Sequence, residues 1–167
     1  VGTWADGDVY GDYADALARS NAPLVYISLI NALHVEWARR ALDAGRHVVA
    51  DKPLAITLGD TRDLISLATD RGVCLAEATV FADHPAMQMF SKKLSDIGGA
   101  KRLTVVLSVP PYAPGDFRRD AALGGGAFND IGPYAAAAGR LVFGAPPDEV
   151  LCRATRDDGL VTAFSLL

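Results

Sequence analysis

Cysteine is scarce in this chain of 167 residues, which has only Cys74 and Cys152. Two cysteines exclude the small secreted scaffolds that disulfides hold together. Each lies within an apolar, strand-like stretch, where a free thiol is expected to act as a small buried hydrophobe, and a reducing cytoplasm fits. Basic excess is also missing. Sixteen Lys and Arg against twenty Asp and Glu leave a net charge of -4 with no basic stripe, which makes nucleic acid a poor partner. No run approaches the ~20 apolar residues that a membrane-spanning helix needs, and the alanine run from Ala135 to Ala138 lies beside Arg140. The opening Val1 to Asp8 has neither the positive start nor the apolar centre of a signal peptide, and repeats and low-complexity tracts are lacking. The first residue is not Met and the last seven are an apolar, strand-like run, so both ends read as cut from a longer chain.

What is present is a composition 50% hydrophobic and 22% charged, that of a packed protein. Tyr13 to Ser20 suits a short helix, and the continuous apolar run Leu24 to Leu29 after Pro23 suits a parallel strand buried on both faces. Leu33, Trp37, Ala38, Ala41 and Leu42 recur at helical spacing before Gly45 stops the helix. His47 to Ala50 is a strand. Thr57 with Asp60 three residues on opens a helix from about Leu58 to Arg71 that ends at Gly72, and Cys74 to Ala78 is the next strand. Strands separated by helices of 10 to 15 residues signal parallel crossover units. The expected fold class is therefore α/β, with a partial Rossmann-like parallel sheet over residues 1–80. Residues 81–167 are expected to form part of an α+β domain: a helix from Pro85 to about Ile97, a strand from Arg102 to Val109, a Pro- and Gly-rich loop, a helix to about Phe143 and two further strands.

Open parallel sheets bind ligands beyond the carboxyl ends of their strands, so two places draw attention. After the first strand come Ser28, Asn31 and His34, with Asn31 readable as a helix cap or as a ligand contact. After the second come Asp51, Lys52 and Pro53, where Pro53 restrains Lys52 to an extended backbone. Spacing leaves Lys52 open as a solvated lysine, a donor to a substrate oxygen or a Schiff-base nucleophile. A third place is Gly124-Gly125-Gly126, where the backbone must pass close to a ligand or another chain segment. It is followed by Asp130 and Tyr134, four apart on one helical face, which read otherwise as a cap and a half-buried aromatic.

Together these segments resemble the glucose-fructose oxidoreductase / inositol dehydrogenase / MocA family. Asn31 to Lys52 is similar to that family's "N-x-x-H" helix, "A-G-x-H-V" strand and "E-K-P" turn, with Asp51 for the usual glutamate. Asp116 to Asp120, through Gly124-Gly125-Gly126 and Asp130 to Tyr134, and on to Phe143 to Pro147, resemble its "G-G-G-x-x-x-D-x-G-x-Y/H" helix and "F-G-x-x-P" end. The resemblance implies hydride transfer between NAD or NADP and a hydroxyl or carbonyl carbon of a sugar, cyclitol or related polyol, with no metal. It implies that Lys52 contacts the reacting oxygen, Tyr134 moves its proton and Asp130 orients the pair or holds a substrate hydroxyl. Ser28, Asn31, His34 and Asp51, with Lys52, then line the cofactor. A homo-oligomer of the full-length protein is implied as well. Three departures stand out: Ile30 replaces a common proline, Ala82 replaces a common arginine, and the phosphate-binding Gly-x-Gly-x-x-Gly turn is not within these residues. A non-catalytic binding relative of the same fold is the alternative.

Overall fold

The structure, a computed structural model, describes residues 7–167. Most of the opening segment read for targeting signals, residues 1–6, lies outside them. Helix α1 (Tyr13–Arg19) begins at Asp12, whose carboxylate accepts the amides of Ala14 and Asp15. It leads into strand β1 (Leu24–Ile27), helix α2 (Asn31–Asp43), strand β2 (His47–Asp51), helix α3 (Leu58–Arg71) and strand β3 (Leu75–Ala78). The three strands form a parallel sheet in the order β1-β2-β3. Two successive crossovers of the same hand place both helices on one face of such a sheet.

The core follows from that placement. Ala38, Ala41 and Leu42 of α2 and Leu64 and Ala68 of α3 are buried with Ile27, Val48, Ala50 and Leu54. On β2 burial alternates, with Val48 and Ala50 inward. The helix ends obey local chemistry: Thr57 Oγ1 accepts the Asp60 amide at 3.1 Å and donates to its carboxylate at 2.6 Å, and Gly72 closes α3 with φ +65°.

Beyond β3 come a short 3-10 turn (Val80–Asp83), helix α4 (Pro85–Asp96), two further 3-10 turns (Phe117–Arg119 and Ala121–Leu123), helix α5 (Ala127–Phe143) and an antiparallel hairpin, β4 (Cys152–Asp157) with β5 (Leu160–Leu166). Helix α5 packs on β5, where the Phe128 and Phe164 rings meet edge to face at 5.1 Å. Among the described residues no helix is long and apolar enough to cross a membrane.

Three expectations are corrected. Strand β1 is not buried on both faces: Tyr26 is 57% exposed and Leu24 is exposed too, because α2 and α3 cover only the opposite face. The alternating segment from Arg102 to Val109 forms no strand. It finds no ladder partner among the described residues, and Val106 stays 84% exposed. Both cysteines are exposed rather than buried. Cys74 precedes β3 at the sheet margin, and Cys152 lies on β4, which no layer covers.

Candidate active site

The carboxyl ends of β1 and β2 bring Ser28, Asp51 and Lys52 side by side, as the parallel register requires. Asp51 accepts hydrogen bonds from Ser28 Oγ at 2.7 Å on one carboxylate oxygen and from the Tyr26 hydroxyl on the other. The bond to Asp51, followed by burial and the Asp51 charge, holds the Tyr26 phenol above its ordinary value.

Lys52 points from its strand end toward α5. Its Nζ donates to the Asp130 carboxylate at 2.8 Å and to the Asp130 carbonyl at 2.6 Å. The two side chains are only 18% and 12% exposed, so the ion pair is largely shielded from water. The same ammonium lies 4.9 Å from the centre of the Tyr134 ring. Lys52 and Tyr134 therefore meet face to cation, with the ammonium over the ring.

Asp130 receives more than Lys52. The Tyr112 hydroxyl donates to its other carboxylate oxygen, and Arg118 Nε lies 3.5 Å from the oxygen that Lys52 contacts. Burial alone raises a carboxyl group, but here the bonds from Lys52 and Tyr112 and the charges of Lys52 and Arg118 outweigh it and hold Asp130 below the usual carboxylate value. Burial first, and then the bond to Asp130, push the Tyr112 phenol up to about 12.

Two residues behave differently from their cap readings. Asn31 is the first residue of α2, after Ile30, and caps nothing. Its amide instead donates to the Gly124 carbonyl at 2.9 Å, in a buried contact between the parallel-sheet region and the glycine loop. Asp130 sits four residues past Gly126, inside α5, and its side chain leaves the helix end for Lys52. His34 is 0% exposed, with its ring nitrogens 2.8 Å from the Pro53 carbonyl and 3.0 Å from the Leu29 carbonyl. It ties the two strand ends together from beneath rather than facing outward.

The glycine run approaches other backbone, not open space. A Cβ on Gly125 would lie 2.6 Å from the carbonyl oxygens of Phe117 and Arg118, and one on Gly124 would lie 2.7 Å from Asn31 Cβ. This packing carries Asp130 to Lys52 across 78 residues of sequence.

From sequence, Tyr112, Asp116, Arg118 and Arg119 read as solvated loop residues or as contacts to substrate hydroxyls; that Tyr112 and Arg118 reach Asp130 instead was not legible in a loop without periodicity. Sequence reasoning also passed over Glu77, which accepts the Leu54 amide at 2.8 Å and the Thr79 hydroxyl at 2.8 Å. The carboxyl-end rule, applied to β3 as to its neighbours, would have found Glu77.

Comparison with known proteins agrees with this geometry. Residues 2–79 match the model of an oxidoreductase family with an NAD-binding Rossmann fold. A dTDP-3,4-didehydro-2,6-dideoxy-alpha-D-glucose 3-reductase from Actinomadura kijaniata is 35% identical over 96% of this chain and 50% of its own length. A D-xylose 1-dehydrogenase (NADP(+)) from Haloferax volcanii is 37% identical over 93% of this chain and 49% of its own length. The crystal structure of a 3-ketoreductase from Actinomadura kijaniata, in complex with NADP and TDP-benzene, superposes with a TM-score of 0.71 at 36% identity, covering 79% of this chain and 41% of that one. The chain thus spans about half the length of the curated relatives it matches. With a parallel sheet ending in Asp-Lys-Pro, a glycine-led helix bringing Asp130 to that lysine and relatives aligned over nearly all of it, the chain belongs to the glucose-fructose oxidoreductase / inositol dehydrogenase / MocA family of oxidoreductases.

Proposed function

We propose that the protein carrying this chain is an NAD(P)-dependent oxidoreductase that moves a hydride between nicotinamide and a hydroxyl or carbonyl carbon of a sugar, cyclitol or related polyol. The observation that carries the reading is the Lys52 ammonium, fixed by Asp130 at the carboxyl edge of a parallel sheet. Relatives named as a xylose dehydrogenase and a deoxysugar reductase support the substrate class.

The residues fit the nicotinamide end of such a cofactor. A hydroxyl, a carboxylate and an ammonium lie in a row on adjacent strand ends, where open parallel sheets take their ligands. Ser28, Asp51 and Lys52 are the residues assigned to hold it, while Asn31 and His34 support them from behind through Gly124, Pro53 and Leu29. When bound, NAD or NADP supplies the acceptor, or in reverse the donor, of a hydrogen with its electron pair.

The chain's own residues do the rest. Two hydrogen bonds of Lys52 go to Asp130, and the remaining N–H is assigned to the substrate oxygen, where negative charge grows as the O–H proton leaves. Tyr134, with its ring against that ammonium, takes the proton in oxidation and returns it in reduction. Asp130 keeps the lysine aimed by engaging two of its N–H groups, which also disfavours the Schiff-base reading, since that chemistry needs a nitrogen free to attack. We place the boundary between the cofactor and substrate regions near residue 80, the protein in the cytoplasm and the full-length form in a homo-oligomer.

The test is calorimetric titration of the full-length protein with NAD(H) and NADP(H), followed by turnover assays on D-xylose, inositols and nucleotide-linked ketosugars. Binding of one cofactor and turnover of a polyol or ketosugar are expected. Failure to bind any of the four would overturn the reading in favour of a non-catalytic relative.

A further inference from the structure

We propose that Tyr112 and Arg118 are positioning residues of the Lys52 centre, holding the Asp130 carboxylate so that its orientation, and with it that of the lysine, is fixed. The inference rests on the functional reading above and adds two residues from a different segment of the chain.

A carboxylate that touches only one partner can turn about its Cβ–Cγ bond. Asp130 cannot do so freely. Lys52 occupies one oxygen, the Tyr112 hydroxyl donates to the other, and Arg118 Nε approaches the first at 3.5 Å. Arg118 in turn stands over the Tyr112 ring, 5.1 Å from its centre, and over the Phe117 ring at 4.5 Å. Its guanidinium is held at 3.3 Å by Asp116. The phenol, the guanidinium and the carboxylate thus form one interlocked group.

That group is anchored to the helix it serves. The Arg118 carbonyl accepts the Gly126 amide at 2.8 Å, immediately before α5, and the backbone there is so close that Gly125 has no room for a Cβ. The segment carrying Tyr112 and Arg118 therefore cannot shift against Asp130 without breaking this contact. The groups that face Asp130 are Lys52 from just beyond β2, Tyr112 from the loop, Arg118 from the 3-10 turn, with Asp116 behind it, and Tyr134 one turn along α5. Because its proton is held up to about 12, Tyr112 stays a donor over the whole working range of pH.

The experiment follows the carboxyl carbon of Asp130 by carbon-13 NMR in the full-length protein, labelled at aspartate, as the pH is lowered. In Tyr112→Phe the midpoint of Asp130 is expected to rise by at least about half a pH unit, since a hydrogen bond to the charged form is lost. The NADP(+)-linked kcat on D-xylose, or on whichever sugar the parent turns over, is expected to fall about tenfold with the KM for NADP(+) little changed. Arg118→Gln keeps the phenol and is expected to raise the midpoint by a smaller amount, which decides the matter if Tyr112→Phe does not fold. A residue that only stabilised the loop would lower the melting temperature and leave the Asp130 midpoint where it was. Titration curves of both variants that superimpose on the parent would overturn the proposal. Undiminished turnover by Lys52→Met would overturn the functional reading instead, so the two failures are distinguishable.

Discussion

At Asp130 the balance of forces can be measured without knowing the substrate. Its carboxyl is held below the ordinary value despite burial, so folding stabilises the charged form. The contribution is complete above the ordinary value of 3.8 and is withdrawn as the pH falls below it, through the lower folded value. Thermal melts should therefore show a gap between the parent and Asp130→Asn that narrows as the pH drops below about 4. A gap independent of pH would contradict the balance described. Strand ends, a glycine run and helical spacing drew attention to Lys52, Asp130 and Tyr134, which the structure brings together, while the roles assigned to them came from the family resemblance alone. Which atoms meet was less legible. Asn31 read as a cap or a ligand contact and bonds the Gly124 carbonyl, and Tyr112 read as solvated or as a substrate contact, because its partner lies 18 residues away across an irregular loop.

Among the elements, helices announced themselves most clearly. The span of α3 follows from Thr57 and Gly72, since capping is decided by residues in the sequence next to it. Burial of strands depends on what lies opposite, which a local pattern cannot report. That is why β1 has an open face, Cys152 is exposed on β4, and the alternating residues from Arg102 to Val109 lack a ladder partner among the described residues. The glycine loop leaves no room for a side chain. Gly125→Ala drives a methyl group against two backbone carbonyls at 2.6 Å, neither of which can move as a side chain could. The expected result is a loss of about 1–3 kcal/mol in denaturant unfolding and a matching loss of activity, because α5 and Asp130 shift together. An alanine variant with parental stability and turnover would show that the close approach is not required.

For the whole molecule, large apolar side chains stay exposed in several segments. Leu24 and Tyr26 on the open face of β1, Val105 to Leu107 in the unpaired segment, and Val150 with Leu151 beside the hairpin all face solvent. Open strand edges and such patches invite association. The chain of 167 residues, expressed alone, is expected to elute from size exclusion as concentration-dependent oligomers, and a single sharp monomer peak at high concentration would contradict that. The longer protein, about twice this length in its relatives, is expected to cover part of this surface and to bind the cofactor that we assign to the strand ends.

Everything proposed for the site turns on Lys52, aimed by Asp130, acting on the reacting oxygen. It is tested most directly by steady-state turnover of full-length Lys52→Met, with folding checked by circular dichroism and cofactor affinity by calorimetry. The expected result is a fall in kcat of about a hundredfold or more, with the cofactor Kd changed by only about a few-fold. A folded Lys52→Met protein that turns over at the parental rate would contradict it.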